Sequence, residues 1–232
     1  MSEYGYSILY YALPILGLII TSLAQLFITT NYGKYKKVHA TSNRSGREVA
    51  RKILDKHGLT NVRVEEVSGN LTDHYDPKSK VVRLSSDIHS GTSIASVSVA
   101  AHECGHAIQD QIGYSPMRIR SMLVPVVNFS TKIGYAVIVI GLAAGALKIA
   151  TIGLILLLSM LLFQLVTLPV EFDASRRGKI ELDELHILNT SEQKGSAKML
   201  RAAAFTYVAS VLSTLFQILR LAIMVSSRRD NR

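Results

Sequence analysis

Cysteine is nearly absent from this chain and tryptophan wholly so: its 232 residues carry one Cys, at position 104, and no Trp. A single thiol excludes an intramolecular disulfide, so no such bridge holds the polar part together, in keeping with a reducing compartment. Acid is also scarce, with 17 Asp and Glu against 26 Lys and Arg and a formal net charge of +9. A basic balance suits nucleic acid, an anionic membrane surface, or the inner loops of a membrane protein. No aromatic-interleaved nucleic-acid motif occurs and the cations stand beside apolar runs, so the lipid bilayer, not nucleic acid, is the expected partner. The opening Met-Ser-Glu-Tyr has no basic stretch, so the first apolar run is expected to be a retained membrane helix, not a cleaved leader. Internal repeats and low-complexity tracts are lacking.

Apolar residues make up 48% of the chain and are segregated. A run from Tyr6 to Thr30 contains no charge and exceeds the roughly 20 residues that span a bilayer. Tyr4, Tyr6, Tyr10 and Tyr11 stand at one end and Tyr32 and Tyr35 at the other, as interfacial anchors would. Lys34, Lys36 and Lys37 follow, which places the next segment in the cytoplasm by the positive-inside rule. A second apolar region, Ile133 to Val170, is interrupted only by Lys148 and is long enough for two crossings. Gly141 and Gly145 within it have the spacing that lets membrane helices approach closely. A last run, Ala202 to Val225, contains Arg220, which is expected to face the bundle or snorkel. Four membrane helices are thus expected. Four crossings put Arg228, Arg229 and Arg232 outside, against the charge rule, so either the last run is a re-entrant or interfacial helix or the earlier loops dominate the orientation.

Between the runs lies polar sequence with clear local signals. Ser45 and Glu48 form a capping-box pattern ahead of Val49, Ile53 and Leu54, and Gly58 ends that helix. Val62 and Val64 alternate about Arg63 as in a strand. Leu71 to Tyr75 and Lys80 to Leu84 read as a hairpin turned at Asp76-Pro77-Lys78-Ser79. A helix is predicted from Ser93 to Ile112. The expected organisation is a membrane helix over 1–32, a polar cytoplasmic core over 33–125, a transmembrane hairpin over 126–170, and a further helix plus a final membrane helix over 171–232.

The chemistry concentrates in His102-Glu103-Cys104-Gly105-His106, an H-E-x-x-H pattern on the predicted helix. Residues i and i+4 share a helix face, so both imidazoles can meet one Zn2+. Glu103, about 100° round the helix, is placed to take a proton from water that the metal acidifies. A catalytic zinc needs a third protein ligand. Asp110, Glu171, Asp173 and His186 are the downstream candidates, and Glu171 is preferred. It stands just past the apolar hairpin, and two crossings return it to the side of His102 and His106. The plain alternative is that Glu171 pairs with Arg176 or Arg177 at a solvated helix start.

The segments SGREVARKILDKHGL, LTDHYDPKSKVVRLS, SIASVSVAAHECGHAIQD and LFQLVTLPVEFDASRR resemble the bacterial neutral zinc metallopeptidases of the YugP-like family. The arrangement is also similar to HtpX-like and CAAX-prenyl-protease-like membrane gluzincins. The resemblance implies a zinc metalloendopeptidase of the bacterial cell membrane, with His102, His106 and Glu171 as metal ligands and Glu103 as catalytic base. It also implies an α+β fold, with a small minigluzincin core carrying a short sheet and the H-E-x-x-H helix on about four transmembrane helices. Two departures stand out: Cys104 where an aliphatic residue is usual, and Ser175 where gluzincins have an acid orienting a ligand histidine. Asp173 or an unidentified residue is the expected substitute, and a thiol near zinc would be open to oxidation.

Weaker signals remain. Asp73-His74-Tyr75-Asp76 suits either substrate addition to an edge strand or a polar hairpin end, and the latter is preferred. His74, Tyr75, Arg176 and Tyr207 are oxyanion candidates. His39, His57, His89 and His186 read as surface residues. The expected substrate is a protein or peptide, membrane-embedded or membrane-proximal, met at the cytoplasmic side. Two rival functions are a site-2-type intramembrane protease and a non-catalytic scaffold with structural zinc. The charged hairpin Lys78 to Arg83 and Gln109-Asp110-Gln111 argue against burial of the motif helix in lipid, and Glu103 argues against a purely structural zinc.

Overall fold

The computed structural model describes residues 3–230, with side chains over 8–226. The expected placements of Tyr4 and Tyr6 and of Arg228, Arg229 and Arg232 fall outside those described side chains. The chain is mostly helical: α1 (Glu3–Lys36), α2 (Gly46–Lys56), β1 (Arg63–Val67), β2 (His74–Asp76), β3 (Val81–Ser85), α3 (Ser86–His89), α4 (Ile94–Gln111), α5 (Ser115–Ala143), α6 (Leu147–Glu184) and α7 (Thr190–Asp230). Four of these, α1, α5, α6 and α7, are long and apolar enough to cross a membrane. The residues fall into two compact units.

One unit comprises the chain up to Gln25, Ile119–Leu168 and the chain from Phe205 onward. Ile138, Leu157 and Ile218 form its buried cluster. Most of its other large apolar side chains, such as Leu18, Phe129 and Ile155, point outward, as the bilayer solvent requires. α5 and α6 pack closely at Gly134 and Gly153, where a Cβ on Gly153 would lie 2.7 Å from the Gly134 carbonyl oxygen, and at Gly141, where one would lie 2.4 Å from the Ala150 backbone nitrogen. Of the anticipated Gly141–Gly145 pair, Gly141 therefore belongs to the helix seam and Gly145 does not. Gly145 sits at φ 66° in the turn joining the two helices, and Gly141 lies against the Ala150 backbone where α6 begins. Arg220 faces the bundle, donating to the Tyr10 hydroxyl at 3.0 Å with its guanidinium over that ring.

The other unit, Leu26–Arg118 with Pro169–Ala204, carries the chemistry. Ser45 caps α2 and the reciprocal Glu48 contact completes the capping box. This orients Val49, Ile53 and Leu54 into the core, where all are fully buried. Each such side chain contributes about 1.5–3 kcal/mol of transfer free energy. The sheet order is β1-β3-β2. β2 and β3 are the expected antiparallel hairpin, but shorter, starting at His74 and Val81. Leu71 lies outside the strand at φ 56°. The turn is held by Asp76, whose carboxylate accepts from the Lys78 and Ser79 amides. β1 adds to β3 in parallel, Val64 opposite Val82, a pairing the alternation alone did not specify. β2 is left as an edge strand.

Candidate metal centre

Close approach of α4 and α6 builds this site, and small residues permit it. A Cβ on Gly105 would lie 2.4 Å from the Ala174 carbonyl oxygen, and one on Gly178 would lie 2.8 Å from the Ala101 carbonyl. Neither obstacle is a flexible side-chain tip. Gly105→Ala should therefore destabilise the folded chain by about 1–3 kcal/mol through overpacking. Thermal unfolding of solubilised protein checks this, and an unchanged midpoint would contradict the close packing.

With the helices that near, Glu171 reaches the face carrying His102 and His106. Its Oε2 lies 3.3 Å from His102 Nε2 and 3.5 Å from His106 Nε2. One ligand atom from each of the three residues falls within 4.8 Å of the others, and among the described residues this is the group that brings three such side chains together. The rings of His102 and His106 meet edge to face at 83°. Glu171 and His106 are buried, and His102 is partly open. Two imidazole nitrogens and one carboxylate oxygen form a donor set that suits zinc.

The other third-ligand candidates are engaged elsewhere. Asp110 accepts from the Tyr75 hydroxyl at 2.7 Å and from Lys80. Asp173 is gripped by Arg176 and Arg177, each at 2.5 Å. These are the arginines that the plain alternative assigned to Glu171, and they leave Glu171 to the histidines. His186 sits at φ 50° in the turn after α6 and is not in the cluster.

Glu103 follows His102 on α4 and is only 7% exposed. Burial pushes its carboxyl up to about 7; His102 opposes this, while Glu171 adds to it. The Tyr75 backbone N–H favours the ionised form, so edge strand β2 runs beside the carboxylate. Cys104 faces the opposite way, its buried thiol 3.6 Å from the Ala50 carbonyl oxygen of α2. Burial pushes that thiol up. A thiol held protonated in the core is inert, which corrects the expectation of an oxidation-sensitive one.

The histidines' outer nitrogens show what sequence reasoning missed. His102 Nδ1 lies 3.0 Å from Ser175 Oγ, so the residue counted as a departure is itself the partner, and Asp173 does not substitute there. His106 Nδ1 lies 3.0 Å from Gln109 Oε1. Only the i+3 spacing of Gln109 from His106 hinted at this.

The weaker candidates divide. Tyr75 spends its hydroxyl on Asp110, and Arg176 spends its guanidinium on Asp173. His74 is exposed with Nδ1 on the Thr72 carbonyl, and Tyr207 belongs to the membrane unit. Two of the supposed surface histidines are partly buried: His57 bonds Glu181 at 2.8 Å, and the His89 side chain is 14% exposed.

The class these features define is confirmed by comparison. The chain belongs to the family described as "putative neutral zinc metallopeptidase", whose model matches residues 10–226. It is 44% identical over 222 residues to a protein of Bacillus subtilis (strain 168) described as "Putative membrane protease YugP", covering 96% of this chain and 99% of that one. No solved structure matches at a significant level. The chain is a multi-pass member of a zinc metallopeptidase family, homologous to a membrane protease.

Proposed function

We propose that this protein is a membrane-bound zinc endopeptidase of the gluzincin type, with His102, His106 and Glu171 holding the metal and Glu103 acting as general base. The observation that carries this reading is the convergence of the three donor atoms from α4 and α6 within 4.8 Å. A zinc ion held there supplies a Lewis acid that polarises the scissile carbonyl and acidifies the adjacent water. Glu103 then takes a proton at its carboxylate and returns it to the leaving nitrogen. Its elevated affinity for a proton, caused by burial, suits both halves of that exchange. β2, an unpaired edge beside Glu103, offers main-chain groups to an extended substrate.

The lysines Lys34 and Lys36 that close α1 support a cytoplasmic position for this unit. Four apolar helices in the same chain support substrates that are membrane proteins or lie near the membrane. A site-2-type arrangement is disfavoured, because α4 is not among the helices long and apolar enough to cross a membrane. A closed structural zinc is disfavoured by the three-residue donor group and by the buried Glu103 next to it.

Chelator treatment of detergent-solubilised protein should abolish peptide cleavage, and one equivalent of zinc should restore it. Cleavage that survives removal of all bound metal would refute the assignment.

A further inference from the structure

The amide of Gln109 is fully buried and its polar contacts leave it one orientation. Nε2 lies 2.8 Å from the Val170 carbonyl oxygen and 3.0 Å from Asp173 Oδ2. Both are acceptors, so both amide hydrogens are committed to them. Asp173 cannot turn away, since Arg176 and Arg177 hold its two oxygens. Flipping the amide would set Oε1 against a carbonyl and a carboxylate in a fully buried position. Oε1 therefore faces His106 Nδ1, and an amide oxygen only accepts. His106 must carry a proton on Nδ1, while its Nε2 faces Glu171 Oε2 at 3.5 Å, where a metal ion or a second proton would part the two acceptors.

His102 differs. Its Nδ1 partner is the Ser175 hydroxyl, which either donates or accepts, so that contact imposes no tautomer.

We propose that Gln109 is a positioning residue that sets two parts of the metal centre at once: the tautomer and ring orientation of His106, and the placement of Glu171. The second role follows from the Val170 carbonyl, which belongs to the residue immediately before Glu171. One side chain of α4 thus holds the turn of α6 that presents the carboxylate. The proposal rests on the zinc reading above for its purpose, but its first part concerns the metal-free chain.

The test is nitrogen NMR on metal-free, full-length protein with 15N-labelled histidine in nanodiscs, at a pH where the imidazoles are neutral. The His106 signals are assigned by their loss in His106→Gln. Wild type should show a proton on His106 Nδ1. Gln109→Leu should give a mixture and weaken zinc binding by about 10–100-fold, the usual consequence of losing a ligand's outer partner. Gln109→Glu keeps an acceptor for Nδ1 but loses both donors. It should keep the tautomer while still weakening zinc binding, because the hold on Val170 is gone. A purely structural role would move stability without moving the tautomer. A wild-type His106 with no proton on Nδ1, or unaltered protonation of Nδ1 in Gln109→Leu, would overturn the proposal. If Gln109→Leu does not fold, the wild-type spectrum and Gln109→Glu still decide it. Wild-type protein that bound no zinc would sink the metallopeptidase reading and leave the tautomer result standing.

Discussion

Glu103→Gln should abolish peptide cleavage while leaving zinc binding intact. Gln keeps the shape of Glu, and the site is buried, so packing is preserved. The buried carboxyl already holds its proton with raised affinity, so removing the charge places no new burden on the fold. In the proposed mechanism, what disappears is the ability to accept a proton from attacking water and pass it on. General acid–base groups typically contribute about 10²–10⁴-fold, and the loss in kcat should be at least of that order. Zinc content by elemental analysis and cleavage of a peptide panel are read on the same preparation. Retained activity in a zinc-loaded variant would remove Glu103 from the mechanism.

Glu171→Ala is expected to do the reverse, acting on the metal first. The two imidazoles alone offer an incomplete set for zinc, which takes three protein ligands in catalytic sites. Loss of an outer partner costs about 10–100-fold in metal affinity, and loss of a ligand should exceed about 100-fold. Competition with a chromophoric chelator measures it. The result also discriminates among donors, because Asp110 and Asp173 are committed to Lys80 and to the two arginines. Wild-type zinc affinity in Glu171→Ala would mean that the third ligand lies elsewhere and that the 3.3 and 3.5 Å contacts to His102 and His106 serve only packing.

Features within a few residues of one another were readable before any coordinates. The Ser45–Glu48 capping box, the Asp76 turn and the shared face of His102 and His106 each depend on spacings of two to four residues. Backbone geometry converts such spacings directly into contacts. The apolar runs were legible for a related reason, since length and composition alone decide whether a helix suits a bilayer. Even so, their ends were misjudged. α6 does not stop at Val170 but continues through Glu171 to Glu184, so Glu171 stands mid-helix and not at a helix start.

The shared face of His102 and His106 on one helix and the presence of four apolar helices were thus set by residue order. Which partners surround that chemistry was decided by the packing of α4 on α6. Sequence left Asp173 and Glu171 as competing acids in one segment, two residues apart. The fold turns Asp173 toward Arg176, Arg177 and Gln109 and turns Glu171 toward the histidines. It also recruits Ser175 and Gln109 to the histidines' outer nitrogens. The contact of Gly134 with Gly153 and the parallel pairing of β1 with β3 belong to the same category. A helix has several faces, and periodicity says which residues share one. What each face meets depends on an axial placement that only close-packed neighbours impose, here through Gly105 against Ala174 and Gly178 against Ala101.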